Sequence, residues 1–174
     1  ATFMILGIDD FRHVNDRYDR VFGDAVIRLV AQRIQAALPS CASAYRLDGD
    51  EFAVFLRGAG AEEIHDMYKR LHATFSHQQE YDGRKFYCTL SAGFARYPEN
   101  ATTYEDLVKR ATYALEHAKA HGKNRCVAFS DDIMKGRTRA LELMELLRDS
   151  VEHGFEGFSL AYQPQIDAAT GRVG

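Results

Sequence analysis

The sequence lacks several features that mark whole classes of protein. It contains no run of 18 apolar residues, so no segment is predicted to span a membrane. Its net charge is −3 and its pI is near 6.2, which argues against a general binder of nucleic acid or anionic membranes. No internal repeat or low-complexity segment is present. These absences favour an ordinary globular domain.

Cysteine and histidine are too scattered to predict a metal centre or a disulfide framework. Cys41, Cys88 and Cys126 are isolated, odd in number and without CxxC spacing. This pattern fits a reducing compartment and predicts that the three are small core residues. Among the seven histidines, His117 and His121 are four residues apart, but no further ligand accompanies them. The histidines are therefore predicted to lie at the surface.

The chain has 174 residues, of which 46% are hydrophobic and 27% charged, enough for one domain and a fragment. Residues 2–8 form an apolar run typical of a buried strand, and residues 11–18 could hold one or two helical turns. Helices are predicted from Asp24 to Leu38, over residues 64–75, and from a cap at Thr102 or Thr103 to Gly122. Strands are predicted over residues 52–56, 86–95 and 126–129.

Two acidic groups stand out at predicted strand ends. Asp48 and Gly49 are typical of a tight β-hairpin, and two more carboxylates, Asp50 and Glu51, follow at once. Asp9, with another aspartate beside it, directly follows the first apolar run. A solvated turn explains the hairpin carboxylates taken alone, whereas two acidic strand ends in one small domain indicate a shared metal or phosphate site.

The predicted order is β-α-β-β-α-β-α-β. A strand pair inserted between helices, without a strict βαβ repeat, predicts an α+β fold with a largely antiparallel sheet flanked by helices. The composition changes after Asp131, where a helical pattern over residues 133–151 precedes a predicted strand over residues 158–163.

Four motifs in order resemble the GGDEF family, the bacterial domains that condense two GTP molecules into cyclic di-GMP. They are Ile8-Asp9-Asp10-Phe11 with Val14-Asn15-Asp16 and Gly23-Asp24; Arg46-Leu47-Asp48-Gly49-Asp50-Glu51-Phe52; Ser91-Ala92-Gly93-Phe94-Ala95; and Ala118-Lys119-Ala120-His121-Gly122-Lys123-Asn124-Arg125. The resemblance covers residues 1–130 and implies a nucleotidyl-cyclase-like palm with a mainly antiparallel sheet.

The resemblance also implies roles for individual residues. It makes Glu51 the catalytic residue, with Asp50 and the Ile8 backbone carbonyl as ligands of Mg²⁺ or Mn²⁺ and Asp9 as a further candidate ligand. The nucleotide-binding residues for GTP that it implies are Asn15, Asp24, Phe11, Lys119, Lys123 and Gly49. An amide beside a carboxylate suits the edge of guanine, and the two lysines match phosphate-contacting positions.

Ordinary structural roles remain open for the same side chains. Asn15 could be a turn residue, and Asp24 could be a helix N-cap. Lys119 and Lys123 could belong to a solvated helix end that complements the helix dipole.

Two positions depart from the family pattern. Gly7 stands where the family has its first metal-binding aspartate, and Asp48 stands where its first signature glycine belongs. A carboxylate at position 48 adds bulk and negative charge beside a polyanion. The RxxD motif of product inhibition is also absent, because Pro39-Ser40-Cys41-Ala42 stands in its place. The expectation is therefore a degenerate domain with little or no cyclase activity.

The last part of the chain resembles the opening strand and hairpin of an EAL domain, the cyclic di-GMP phosphodiesterase. The residues that carry this resemblance are Phe158-Ser159-Leu160-Ala161-Tyr162-Gln163-Pro164-Gln165-Ile166-Asp167 with Thr170-Gly171. The expected organisation is a GGDEF-like domain over residues 1–130, a connecting helix over 131–153 and the truncated start of an EAL domain over 154–174.

Three functions stay open at this point. The chain could bind GTP and regulate an adjoining EAL domain, it could be a weak or conditional diguanylate cyclase, or it could be a structural or dimerising module. A cytoplasmic location is expected, with any membrane anchor of the parent protein lying outside this fragment, and a homodimer is a candidate assembly.

Overall fold

The structure is a computed structural model that describes residues 1–58, 60–164, 166, 168–170 and 172. The chain divides into two compact units. The first is Ala1–Met134, and the second begins at Lys135.

A five-stranded sheet organises the first unit. Its strands, with those of a separate two-stranded hairpin, are β1 (Thr2–Ile8), β2 (Ala42–Asp48), β3 (Glu51–Leu56), β4 (Gln79–Tyr81), β5 (Arg84–Phe86), β6 (Leu90–Arg96) and β7 (Cys126–Ala128). The large sheet has the order β2-β3-β1-β6-β7, and β4 pairs with β5. Only the β6–β7 pairing is parallel among the described strands. The predicted α+β fold with a mainly antiparallel sheet is confirmed.

Helices cover both faces of the sheet because β1 sends alternate side chains to opposite sides. The helices of the first unit are α1 (Phe11–Arg17), α2 (Arg20–Ala37), α3 (Ala61–Phe75) and α4 (Tyr104–Ala120), and a fifth helix, α5 (Asp131–Glu152), continues into the second unit. Met4 and Leu6 belong to one core cluster with α2 and α3, and Phe3 and Ile5 belong to a second cluster with α4. Position 7 therefore falls on the α4 side of β1.

The contact between β6 and α4 depends on Gly93. A β-carbon added there would lie 2.0 Å from the Leu115 nitrogen and 2.5 Å from the Ala111 carbonyl oxygen. Since both are backbone atoms, helix and strand can approach this closely only when position 93 has no side chain. This approach holds α4 over the sheet, and α4 carries Lys119 near its last turn.

Several predicted elements have different boundaries in the structure, and two of these differences bear on the site. The helix predicted from Asp24 begins at Arg20, because the Asp19 side chain caps it by accepting the Phe22 N–H at 2.7 Å. The strand predicted over 86–95 is divided into β5 and β6. Residues 87–89 leave the ladder, and the Thr89 carbonyl accepts the Asp9 N–H at 2.9 Å.

The cysteine prediction is right in part. Cys88 is buried and Cys126 is half-buried, and burial raises the pKa of each thiol to about 12. Cys41 is exposed, so its prediction as a core residue is wrong. It lies in the turn before β2 at the surface of the protein, so its side chain does not reach the core. All seven histidines are exposed or half-buried, as predicted.

The second unit contains most of α5 and the residues that follow it. None of the α5 side chains is buried. No helix in the described part of the chain is long and apolar enough to cross a membrane. The strand predicted over residues 158–163 is wrong, because these residues form no strand. No described strand pairs with them, so they lack the backbone hydrogen bonds that hold a strand in a sheet. Gln165, Asp167 and Gly171 of the EAL-like motif lie outside the described residues.

Candidate functional site

An open cavity of about 400 Å³ lies at the end of β1. Its lining residues are Ile8, Asp9, Asp10, Phe11, Arg12, Asn15, Asp50, Lys119 and Lys123. Seven of these nine were predicted from the sequence as site residues, and they come from three separate parts of the chain. The remaining predicted residues, Asp24, Gly49 and Glu51, are not among the lining residues.

One side of the site is formed where α1 meets α2, and we call Phe11, Asn15, Gly23 and Asp24 the base side, after the base contacts that the sequence predicts for Asn15 and Asp24. A β-carbon added at Gly23 would lie 1.9 Å from Asn15 Oδ1 and 3.2 Å from Phe11 Cζ. Gly23 therefore provides the space that the Asn15 amide and the Phe11 ring occupy. Asn15 lies within α1 and Asp24 is the fifth residue of α2, so neither the turn nor the N-cap alternative applies.

A second group of residues carries the charges, and we call Gly7, Glu51, Lys119 and Lys123 the phosphate side, after the phosphate contacts that the sequence predicts for the two lysines. Gly7 and Glu51 are opposite each other in the antiparallel β1–β3 pairing. Lys119 reaches from α4 and donates from Nζ to Glu51 Oε1 at 3.3 Å. A β-carbon added at Gly7 would lie 2.7 Å from Lys119 Nζ, so the ammonium group occupies the space that a side chain at position 7 would enter.

Lys123 is held by a second carboxylate. Its Nζ donates to Asp10 Oδ1 at 2.6 Å, and this hydrogen bond is the main cause that lowers the pKa of Asp10 below its ordinary value. Both side chains stay about half exposed, at 41% for Lys123 and 50% for Asp10. The Lys123 ammonium group therefore keeps access to solvent and to the cavity.

Asp9 connects three elements of the fold. Its carboxylate, in a residue only 6% exposed, accepts hydrogen bonds from Thr89 Oγ1 and Ser91 Oγ at 2.7 Å each and from the Asn124 N–H at 3.0 Å. Both oxygens are thus engaged by the protein. These bonds tie the end of β1 to β6 and to the turn that carries Lys123.

The acidic hairpin is fixed by an arginine. Arg46 donates from Nε and Nη2 to the Gly49 carbonyl at 3.0 and 2.8 Å. Gly49 has a φ of 49°, a conformation that favours glycine, and Asp48 is exposed. The Ile8 N–H donates to the Asp50 carbonyl at 3.1 Å, which joins the hairpin to the end of β1.

The contacts in this arrangement leave few side-chain ligands for a divalent cation. Mg²⁺ is held in proteins by carboxylate and other oxygen ligands. Position 7 supplies no ligand, both Asp9 oxygens already accept hydrogen bonds, and Glu51 pairs with Lys119. Among the described residues, no three His, Cys, Asp or Glu side chains are grouped so that they could hold a metal ion. The roles that the sequence assigned to Asp50, the Ile8 carbonyl and Asp9 as metal ligands stay predictions.

Several residues of the site were not assigned a role from the sequence. Arg46, Ser91 and Asp10 stand in the quoted motifs, so the motif positions already marked them. Thr89 carries no comparable signal, because its partner Asp9 lies 80 residues away in the chain. Only the fold brings this pair together.

The fold and site together define an α+β palm domain with charged and polar groups at the end of its central strand. Residues 1–125 match the model of the diguanylate cyclase GGDEF domain, and the chain belongs to this family.

Known proteins show the same likeness over most of the chain. The cyclic di-GMP phosphodiesterase NbdA of Pseudomonas aeruginosa is 32% identical over 170 residues, which cover 98% of this chain and 22% of NbdA. The bifunctional diguanylate cyclase/cyclic di-GMP phosphodiesterase MucR of the same organism is 28% identical over 168 residues, or 97% of this chain and 24% of MucR. The chain thus spans about a quarter of these relatives or less.

A solved structure gives the same result for the fold. The GGDEF domain of YfiN (also called TpbB) from Pseudomonas aeruginosa superposes with a TM-score of 0.70 at 29% identity. The match covers 79% of this chain and 82% of that one.

Proposed function

We propose that this chain is a GGDEF domain that binds GTP, forms little or no cyclic di-GMP and regulates an adjoining EAL phosphodiesterase domain in the full-length protein. The observation that carries the proposal is that the predicted nucleotide-binding residues line one cavity while one predicted metal ligand is absent. Phe11 and Asn15 line one cavity with Lys119 and Lys123, whereas the position of the family's first metal carboxylate is Gly7.

Nucleotide binding is supported by the pairing of an aromatic and amide side with a cationic side. The cavity of about 400 Å³ falls in the size range of small-ligand sites. Its two ammonium groups provide point charges for phosphates, and an amide provides a donor and an acceptor for a base edge. Guanine is the proposed base because Asn15 and Asp24 match the family's base-contacting positions.

Loss of cyclisation is supported by the charges around the hairpin. In phosphoryl transfer, metal ions neutralise the triphosphate and favour the attacking oxygen. Here position 7 has no carboxylate, and Asp48 adds a negative charge at the turn. Two changes at one metal site argue against efficient turnover.

Calorimetry with this chain tests the first half of the proposal. GTP is expected to bind more tightly than ATP, and chromatography after incubation with GTP and Mg²⁺ or Mn²⁺ is expected to show little or no cyclic di-GMP. Absence of GTP binding would leave only a structural or dimerising role. Turnover comparable to that of an intact family member would overturn the assignment of a degenerate domain.

A weak or conditional diguanylate cyclase is the second candidate. The observation that favours it is that Asp50 lines the cavity and Glu51 follows directly in β3. If this candidate is correct, product should accumulate over long incubations and disappear in a Glu51→Gln variant.

Regulation of the adjoining domain has a separate test. NbdA and MucR are named as phosphodiesterases, and both are much longer than this chain. In the full-length protein, GTP is expected to change the phosphodiesterase rate several-fold, as a coupling free energy of about 1–3 kcal/mol would do. The double change Lys119→Ala with Lys123→Ala should remove the response, and Lys69→Ala in α3 is the matched control. A rate indifferent to saturating GTP would contradict regulation.

A further inference from the structure

Position 7 differs from the family pattern, because the resemblance places a metal-binding carboxylate there and this chain has glycine. The space is occupied by another part of the molecule. A β-carbon added at Gly7 would lie 2.7 Å from Lys119 Nζ and 2.8 Å from Lys119 Cε. An ammonium group therefore lies beside the position from which a metal ligand would project, and it pairs with Glu51 at 3.3 Å.

A second ammonium group lines the same cavity. Lys123 Nζ bonds Asp10 at 2.6 Å, and the turn that carries it is tied to Asp9 through the Asn124 N–H at 3.0 Å. Each ammonium group has three donors, so one bond to a carboxylate leaves others for a ligand. The side chains of Lys119 and Lys123 are 31% and 41% exposed, which leaves both reachable from solvent.

A divalent cation would face repulsion and few free ligands here. Like charges a few ångströms apart oppose each other strongly in a partly buried site. Three of the four carboxylates near the cavity already have partners in the protein: Asp9 has three donors, Asp10 has Lys123 and Glu51 has Lys119. The fourth, Asp50, lines the cavity and is a single ligand. The same two ammonium groups that repel a cation attract a phosphate chain.

We propose that Lys119 takes the place of the metal in this site, so that the phosphates of GTP contact the ammonium groups of Lys119 and Lys123 directly and binding requires no divalent cation. This inference rests on the proposed GTP binding and specifies how the charge of the phosphates is neutralised. It also gives Gly7 a function, because the missing side chain provides the space that Lys119 needs.

Calorimetric titration of the chain with GTP, once in excess Mg²⁺ and once in EDTA, tests the inference. The dissociation constant is expected to differ by less than about threefold between the two conditions, since no metal bridges protein and phosphate. Lys119→Gln should weaken binding in EDTA at least about tenfold, and Lys119→Arg should recover most of the loss because the charge returns.

A variant whose GTP binding depends on Mg²⁺ gives a more specific test. Gly7→Asp places a carboxylate against the flexible end of Lys119, which can move aside without disturbing the backbone. This variant should lose at least about tenfold in GTP affinity in EDTA and regain it in Mg²⁺, because the carboxylate repels bare phosphate and accepts a metal. Gly136→Asp in α5, where an added β-carbon meets no other atom, is the charge-matched control and should behave like the unaltered chain.

The outcomes separate this inference from the function on which it rests. Binding of GTP that is lost in EDTA and restored by Mg²⁺ in the unaltered chain would overturn the inference and leave the proposed function standing. Absence of GTP binding in both conditions would overturn the proposed function as well. A Lys119→Gln variant that binds GTP in EDTA as tightly as the unaltered chain would also overturn the inference.

Discussion

The base side and the phosphate side of the site are built in different ways. On the base side, Asn15 lies against the backbone of Gly23, so its amide is positioned by a close contact between two helices. On the phosphate side, Lys119 and Glu51 meet through long side chains that are about one-third exposed. A site built on backbone contact keeps its geometry, whereas a site built on long charged side chains can exchange partners when one residue changes.

Under the proposed function, this difference accounts for a domain that binds GTP without cyclising it. With glycine at position 7, the Lys119 ammonium group occupies the adjacent space, while α4 packs on the sheet at Gly93. The base side has no similar tolerance, because an added atom at Gly23 meets Asn15 at 1.9 Å.

The largest effect is expected from restoring the family pattern on the phosphate side. The chain should form little or no cyclic di-GMP, and the double change Gly7→Asp with Asp48→Gly should raise the rate at least about tenfold, because one change adds a metal ligand and the other removes repulsion at the phosphates. Chromatography of reactions with GTP and Mg²⁺ measures this gain. The single changes are the controls, and a double variant no faster than either would mean that another element of catalysis is missing.

A loss of base discrimination should follow from changing the base side. Asp24→Ala is expected to erode the preference for GTP over ATP, since an unpaired donor on guanine costs roughly 1–3 kcal/mol, or about 5- to 150-fold in affinity. Competition titrations with both nucleotides measure the ratio. Asp66→Ala, an exposed aspartate of α3, is the matched control. Equal loss for both nucleotides would show that Asp24 does not contact the base.

The fold could be predicted from the sequence to the level of its sheet and main helices. The apolar run of β1 and the helical spacing in α2, α3 and α4 are local patterns, and the structure has the predicted strand or helix at each of them. The division of residues 86–95 could not be predicted, because Phe86 pairs with Gln79 in a separate hairpin while Thr89 bonds Asp9. Those contacts join residues that are distant in the chain, and no local pattern records them.

The site was predicted as a set of residues but not as a set of contacts. The motifs identified Asn15, Lys119 and Lys123 because their order in the chain matches the family. The pairing of Lys119 with Glu51 could not be read in the same way, since it depends on how β1, β3 and α4 pack together. The absence of a side chain at Gly7 was visible in the sequence, but the group that fills the space was not.

Replacing one glycine by alanine on each side of the site, in two separate variants, compares the two sides directly. Gly23→Ala should weaken GTP binding several-fold, because the new methyl group displaces the Asn15 amide. Gly7→Ala should weaken GTP binding less than Gly23→Ala does, since the methyl group meets the flexible end of Lys119, which can shift, and makes an ordinary contact with Leu115 at 3.6 Å. Thermal unfolding of both variants checks that each is folded. Equal effects on binding would remove the distinction between the base side and the phosphate side.

The smallest effect concerns the ion pair of Lys123 with Asp10. The hydrogen bond from Lys123 holds the pKa of Asp10 below 3.8, so the pair stabilises the folded chain above that pH and this contribution is lost as the pH falls through the lowered pKa. Because both groups are about half exposed, Asp10→Asn should reduce the free energy of unfolding at pH 7 by less than about 1 kcal/mol. Urea unfolding at pH 7 and at pH 3 measures the difference, which should shrink at the lower pH and in high salt. A deficit that stays constant across both pH values would show that Asp10 does not stabilise the fold through its charge.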